Sequence, residues 1–325
     1  MLLYAFQSVK FLFRNNFQFV SLINRNLKTK SKNMSYSTVE RGQPNSLSYR
    51  VYVKNEQTNS FVSPFHDVPL VSNSDNHLFN CVVEIPRWSN AKMEINKKEK
   101  LNPIIQDIKS NKLRFVNNCF PYHGYIWNYG ALPQTFEDPS HVDELTGCNG
   151  DNDPLDVCEI GSKVHTRGSV VSVKVLGALG LIDEGEADWK IIAIDVSDPL
   201  AEKLNDINDV ETHLPGLLDA TRDWFKIYKI PTNKPANKFA LDGKYLDKGF
   251  ALKQINLANS LWKKLFDQDS EPKGVSLTNT TLSDKIEADD AAKLVESGSE
   301  PFNAQSKELD RFPIDAVHYI DRSKI

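Results

Sequence analysis

The 325-residue sequence predicts a mainly β chain with flanking helices, an α+β fold centred on a closed or partly closed antiparallel barrel. Three observations predict it. Between Leu47 and Val196 the chain consists of short β-branched or alternating runs broken by Pro, Gly and Asn. No helical run of ten or more residues separates those runs, and two long amphipathic stripes appear only afterwards.

The expected strands are Tyr49–Lys54, Asn80–Ile85, Lys92–Ile95, Asp156–Ile160, Val170–Ala178 and Lys190–Val196, each a short apolar or alternating run ended by turn-forming residues. The first helix is read from Leu214, Leu217, Leu218, Thr221, Trp224, Phe225 and Tyr228, which recur at helical spacing, with Pro215 suited to the first turn. The second runs from Ala251 to Phe266, with Leu252, Ile255, Ala258, Leu261, Trp262, Leu265 and Phe266 on one stripe. Both stripes are expected to pack on the barrel. After Asp267 the chain becomes polar, Ser-rich and acidic, which predicts a tail with little structure of its own.

Composition narrows the function classes. Hydrophobic residues make up 40% and charged residues 25%, enough apolar material for a large core. No run of 18 apolar residues occurs, so no membrane-spanning helix is expected. A net charge of −4 does not suit a chain that binds nucleic acid by neutralising phosphates. Cys81, Cys119, Cys148 and Cys158 form no C-x-x-C pair and no zinc spacing, and each is expected to be a small buried residue in a reducing compartment. The start is different in character. Lys10, Arg14, Arg25, Lys28, Lys30 and Lys32 precede the first carboxylate, Glu40, among mixed apolar, Ser and Asn residues. That acid-free basic pattern predicts a mitochondrial presequence over residues 1–33, and Met34 offers a second start. Removing those six charges from a net of −4 leaves about −10.

Chemistry concentrates in acidic clusters. Gly150-Asp151-Asn152-Asp153-Pro154-Leu155-Asp156 places three aspartates within six residues, on a segment that turns and enters a strand. Like charges this close repel, and burial raises their pKa values further unless a cation fills the gap. Carboxylates without a His or Cys cluster select Mg²⁺, Mn²⁺ or Ca²⁺ rather than zinc. An EF-hand reading fails, because Leu155, Asp156 and Ser162 stand where such a loop needs an acid or Asn, Gly and Glu. A second cluster, Asp183-Glu184-Gly185-Glu186 with Asp188, leads into an apolar strand. In extended chain Asp188 shares a face with Lys190, and Lys92 with Glu94. Cross-strand ion pairing alone accounts for such alternation equally well. Pooled together, however, the clusters offer carboxylates for metal ions with lysines and arginines beside them for an anion.

These residues resemble the soluble inorganic pyrophosphatases of the first structural class, in their eukaryotic form. The resemblance runs from Ser46 to Phe266 through Asp151–Val157, Glu84-Ile85-Pro86-Arg87-Trp88, Asn90–Glu94, Arg114-Phe115-Val116, Gly124–Gly130, Asp183–Lys190 and Ile227–Pro231. Trp127 and Tyr122 depart mildly from the familiar pattern. With the basic leader, the sequence is similar to the mitochondrial form, which implies a matrix location. The resemblance also implies a five-stranded oligonucleotide-binding-like closed β-barrel, a homodimer, several Mg²⁺ ions and pyrophosphate as substrate. It divides the chain into a presequence (1–33), a catalytic domain (34–270) and a C-terminal extension (271–325).

Residue by residue, it implies that Asp151, Asp156 and Asp188 hold one Mg²⁺, with Asp156 bridging to a second. Asp183 and Asp188 hold a third, and Glu94 supports a further ion. Asp153 is the general base. Arg114, Tyr228 and Lys229 grip the leaving phosphate, and Lys92 and Tyr129 contact the phosphoryl group under attack. Lys190 and Tyr125 line the pocket, while Glu84 and Glu186 orient its ligands. The rival expectation is a barrel that binds RNA or a protein partner without catalysis. Dense carboxylates oppose it, so no nucleic-acid partner is expected.

Overall fold

The computed structural model describes residues 35–73, 77–109, 111–267, 274–283, 285–298 and 312–325. The expected presequence lies outside them. Nine principal strands are β1 (Tyr36–Arg41), β2 (Arg50–Asn55), β3 (Leu78–Ile85), β4 (Met93–Ile95), β5 (Ile104–Gln106), β6 (Asn128–Ala131), β7 (Asp156–Glu159), β8 (Val170–Asp183) and β9 (Glu186–Asp195). The longer helices follow: α1 (Ile207–His213), α2 (Leu217–Ile227), α3 (Lys248–Lys264) and α4 (Ala288–Gly298).

Five strands close on themselves. β3 pairs antiparallel with β8, β8 with β9, β7 with β6 and β6 with β3, while β9 and β7 run parallel. The expected five-stranded OB-like barrel is therefore present as a pairing circuit. One correction concerns direction: the β7–β9 pair is parallel, because the chain leaves β7 and returns through the long β8–β9 hairpin before pairing with it. A second sheet, in order β1-β2-β5-β4, lies outside the ring.

All six expected strands form, with shifted ends. β8 continues through Gly177 and Gly180 to Asp183, although glycines usually weaken a strand. Here they admit close neighbours. A Cβ on Gly177 would lie 2.4 Å from the Leu246 carbonyl oxygen, and one on Gly180 would lie 2.9 Å from the Ala240 side chain. The hairpin to β9 turns through Glu184 and Gly185, both at positive φ (52° and 97°), as a tight two-residue turn requires.

Alternation along β9 sends Trp189, Ile191 and Ala193 into a cluster with Ala251, Ile255 and Ala258 of α3. Asp188 and Lys190 share the opposite face, which Ile192 and Ile194 continue into the larger core. The α2 stripe packs as expected, with Trp224 and Phe225 buried. Pro215 is corrected: it stands outside the helix, before the left-handed cap residue Gly216. Cys148 is also corrected, being only partly buried, whereas Cys81, Cys119 and Cys158 are buried.

The C-terminal extension departs most from expectation. Its described residues are not a structureless tail but belong to the compact unit Ser35–Ile325. Val275 and Leu277 enter the main core, and Ala291 and Val295 of α4 pack with Tyr52 and Leu101. Val317–His318 adds a parallel strand to Asn118–Cys119. Among the described residues no helix is long and apolar enough to cross a membrane.

Candidate active site

One cavity of about 250 Å³ is bordered by every residue that the sequence resemblance assigned to the site. β3 contributes Glu84, β4 and its approach Lys92 and Glu94, and β6 Tyr129, with Tyr125 just before it. Asp151 and Asp153 stand on the turn that leads to Asp156 of β7. Asp183 ends β8, and β9 supplies Glu186, Asp188 and Lys190. Arg114 lies between the short strand Lys112–Leu113 and Phe115, which bridges to Ala91, and Tyr228 and Lys229 follow the C-terminus of α2. The acidic clusters thus face one space.

Register explains the centre of the site. Parallel pairing sets Asp156 opposite Lys190, and the period of two sets Asp188 beside it. The Lys190 ammonium, in a residue only 2% exposed, ion-pairs with both carboxylates and donates to the Tyr129 hydroxyl at 2.8 Å. Burial alone would depress its pKa, but Asp156 and Asp188 outweigh burial and hold it well above the usual lysine value. Tyr129 and Tyr125 are pushed up by burial, Tyr125 to about 12, so both stay protonated donors.

The carboxylates show the opposite strain. Burial, then Asp188, Asp153 and Asp156, drive the Asp151 pKa well upward. Asp188 is raised to about 7, first by burial, with Lys190 opposing and Asp156 adding. Glu84, which accepts from the Ile95 amide at 2.6 Å, is raised by burial and by Asp156.

Glu137 joins this group, although the sequence reading passed over it. One oxygen from each of Glu137, Asp151 and Asp188 lies within 4.8 Å of the others. Glu137 accepts from the Trp189 amide through Oε1, while its buried Oε2 has no hydrogen-bond partner among the described residues. Burial and Asp151 raise its pKa as well. An all-oxygen donor set that repels itself when ionised, with a lone pair unsatisfied, fits a hard divalent cation. No ligand-set signal marks Glu137 in Phe136-Glu137-Asp138-Pro139, which reads as an ordinary acidic turn.

Cations rim the remaining wall. Lys92 pairs with Glu94 at 2.6 Å, and Arg114 with Asp107 at 2.9 Å. Lys229 pairs with Asp183 and, at 3.1 Å, with Glu184, and the Tyr228 hydroxyl donates to Asp183 at 3.1 Å. Hydrogen bonds from Lys234 and Lys229 hold Glu184 down to about 2. Trp224 and Phe225 supply apolar lining, and the Lys190 ammonium sits 5.4 Å from the Phe225 ring centroid. Lys97 also went unnoticed, hidden in the charged run Lys97-Lys98-Glu99-Lys100; its ammonium pairs with Asp153.

A closed five-stranded ring carrying buried carboxylates and opposed cations in one cavity defines an enzyme site for an anionic substrate handled with divalent cations. Comparison with known proteins narrows the class. A sequence model of the family described as inorganic pyrophosphatase matches residues 81–263. An inorganic pyrophosphatase of Candida albicans is 59% identical over 259 residues, covering 79% of this chain and 89% of the relative. The human inorganic pyrophosphatase is 56% identical over 265 residues, 81% and 91% of the two chains. The solved inorganic pyrophosphatase of Schistosoma japonicum superposes with a TM-score of 0.81 at 49% identity, over 87% of this chain and 100% of its own. A truncated vacuolar soluble pyrophosphatase of Trypanosoma cruzi, solved in complex with PPi, gives 0.67 at 41% identity over 74% and 95%. The chain belongs to the inorganic pyrophosphatase family, in the soluble eukaryotic form, and is an enzyme of the inorganic diphosphatase class.

Proposed function

We propose that the protein hydrolyses inorganic pyrophosphate to two orthophosphates, with Mg²⁺ as its cation and by direct in-line attack of water. The observation that carries this reading is the single cavity in which self-repelling carboxylates face Lys92, Arg114, Lys190 and Lys229. Asp151, Asp156, Asp183 and Asp188, with Glu94, are the residues to hold Mg²⁺, which when bound supplies positive charge against phosphoryl oxygens and lowers the pKa of water.

The chain's own residues do the rest. Asp153 accepts a proton from the attacking water. Arg114 offers a planar fork to the leaving phosphate, with the Lys229 ammonium and Tyr228 hydroxyl beside it. Lys92 and Tyr129 contact the phosphoryl group under attack. Lys190 keeps Asp156 and Asp188 oriented through its two ion pairs, and Glu84 and Glu186 orient neighbouring donors. Tyr125 closes the wall beside Tyr129, with ring centroids 5.0 Å apart.

The protein acts as a homodimer in this reading, which rests on the family resemblance. The basic leader supports import into the mitochondrial matrix. The deciding experiment incubates purified protein with Mg²⁺ and pyrophosphate and measures orthophosphate. Release that stops on chelation is expected; folded protein that releases none at neutral pH refutes the reading. A reporter fused to residues 1–33 should enter mitochondria, and cytosolic retention would refute import.

A further inference from the structure

We infer that the C-terminal segment Val275–Leu282, acting through Lys97, positions the carboxylate of Asp153. The inference rests on the reading of Asp153 as base and gives the extension a part in turnover.

Asp153 is held in two ways. Its backbone is fixed by its own turn: its amide donates to Asp151 Oδ1 at 3.0 Å, and its carbonyl accepts from the Glu137 amide at 2.8 Å. Its carboxylate is held by Lys97, whose ammonium also donates to the Asn152 carbonyl at 2.6 Å. Lys97 does not border the cavity, so it acts on Asp153 and not on the bound anion.

The loop carrying Lys97 is itself fastened by the extension. The Ser276 amide donates to the Lys97 carbonyl at 2.5 Å. Asn102 Nδ2 donates to the Ser276 carbonyl at 3.2 Å, and His66 Nε2 lies 3.0 Å from the same oxygen. Val275 and Leu277 flank this contact and are buried, with exposures of 3% and 7%. Farther on, the Thr280 and Thr281 amides donate to the Asp67 carboxylate, which also accepts from the Ser63 amide at 2.7 Å. A continuous path therefore leads from the extension through the Lys97 peptide and its ammonium to the Asp153 carboxylate. A base must sit within about 0.5 Å of its productive place, and small misplacements cost turnover rather than binding.

The test measures kcat and KM for pyrophosphate with Mg²⁺ on full-length Asp153→Asn, Lys97→Ala, Lys97→Arg and Ser276→Pro proteins. Lys97→Ala should lower kcat by about tenfold with KM within about twofold, and Lys97→Arg should restore most of it. Ser276→Pro removes the amide donor and should lower kcat by about threefold, with no further loss when added to Lys97→Ala. If Ser276→Pro does not fold, Asp67→Asn, which loosens the Thr280–Thr281 anchor, takes its place with the same expectation. Normal kcat in Lys97→Ala beside an inactive Asp153→Asn, or fully additive losses, overturns the positioning. Near-normal turnover in Asp153→Asn overturns the base reading itself.

Discussion

Replacing Asp188 by Asn should stabilise the metal-free protein even though it removes a buried ion pair. Asp188 is 5% exposed, and burial lifts its pKa from about 3.8 to about 7, with Lys190 opposing and Asp156 adding to the rise. Because the folded-state value lies above the unfolded one, the folded chain binds this proton more tightly. The contribution to stability is full below about pH 4, declines as pH rises from about 4 to 7, and is absent above. The gap is worth about 4 kcal/mol to the folded state, lost once Asp188 ionises. The amide introduced by Asp188→Asn never ionises, and its lost charged contact with Lys190 is already contained in the value of about 7, so it is not subtracted again. The net expectation is a gain of about 4 kcal/mol at about pH 8 in chelator. Urea denaturation at fixed protein concentration, with EDTA and then with saturating Mg²⁺, measures it. The wild type should gain much from Mg²⁺ and the variant little. Loss of stability in EDTA, or an unchanged response to Mg²⁺, would refute the reasoning.

Lys190→Met leaves buried Asp188 and partly buried Asp156 without their cation; it should cost about 3 kcal/mol in chelator and less with Mg²⁺, by the same denaturation assay. Gly130→Ala places a Cβ 2.0 Å from the Val82 carbonyl oxygen, across the β6–β3 pairing. It should destabilise by about 3 kcal/mol or more, and an unchanged melting temperature would show that the ring does not close there. Leu277→Ala should cost about 2–3 kcal/mol if the extension packs into the core, whereas a change below about 0.5 kcal/mol would contradict that packing.

The cavity's charged lining was legible because its carboxylates cluster locally in sequence. Asp151, Asp153 and Asp156 crowd one turn, and the period of two puts Asp188 with Lys190 and Lys92 with Glu94. Glu137 and Lys97 were not legible, since each meets the site's aspartates only by a long-range contact and looks locally like an ordinary surface charge. The parallel β7–β9 pairing was hidden for a related reason: strand direction follows from the intervening hairpin, not from composition within either strand. Polarity misled about the extension. Its apolar residues are few, yet Val275, Leu277, Ala291 and Val295 sit where a nearly complete core needs only small additions.

The central claim is that these carboxylates gather divalent cations beside a phosphate-type anion. Anomalous diffraction from crystals grown with Mn²⁺ and orthophosphate tests it directly. Metal peaks should lie among Asp151, Asp156, Asp183 and Asp188, with a phosphate against Arg114, Tyr228 and Lys229. A fully occupied crystal with Mn²⁺ elsewhere and those four side chains unligated would contradict the account.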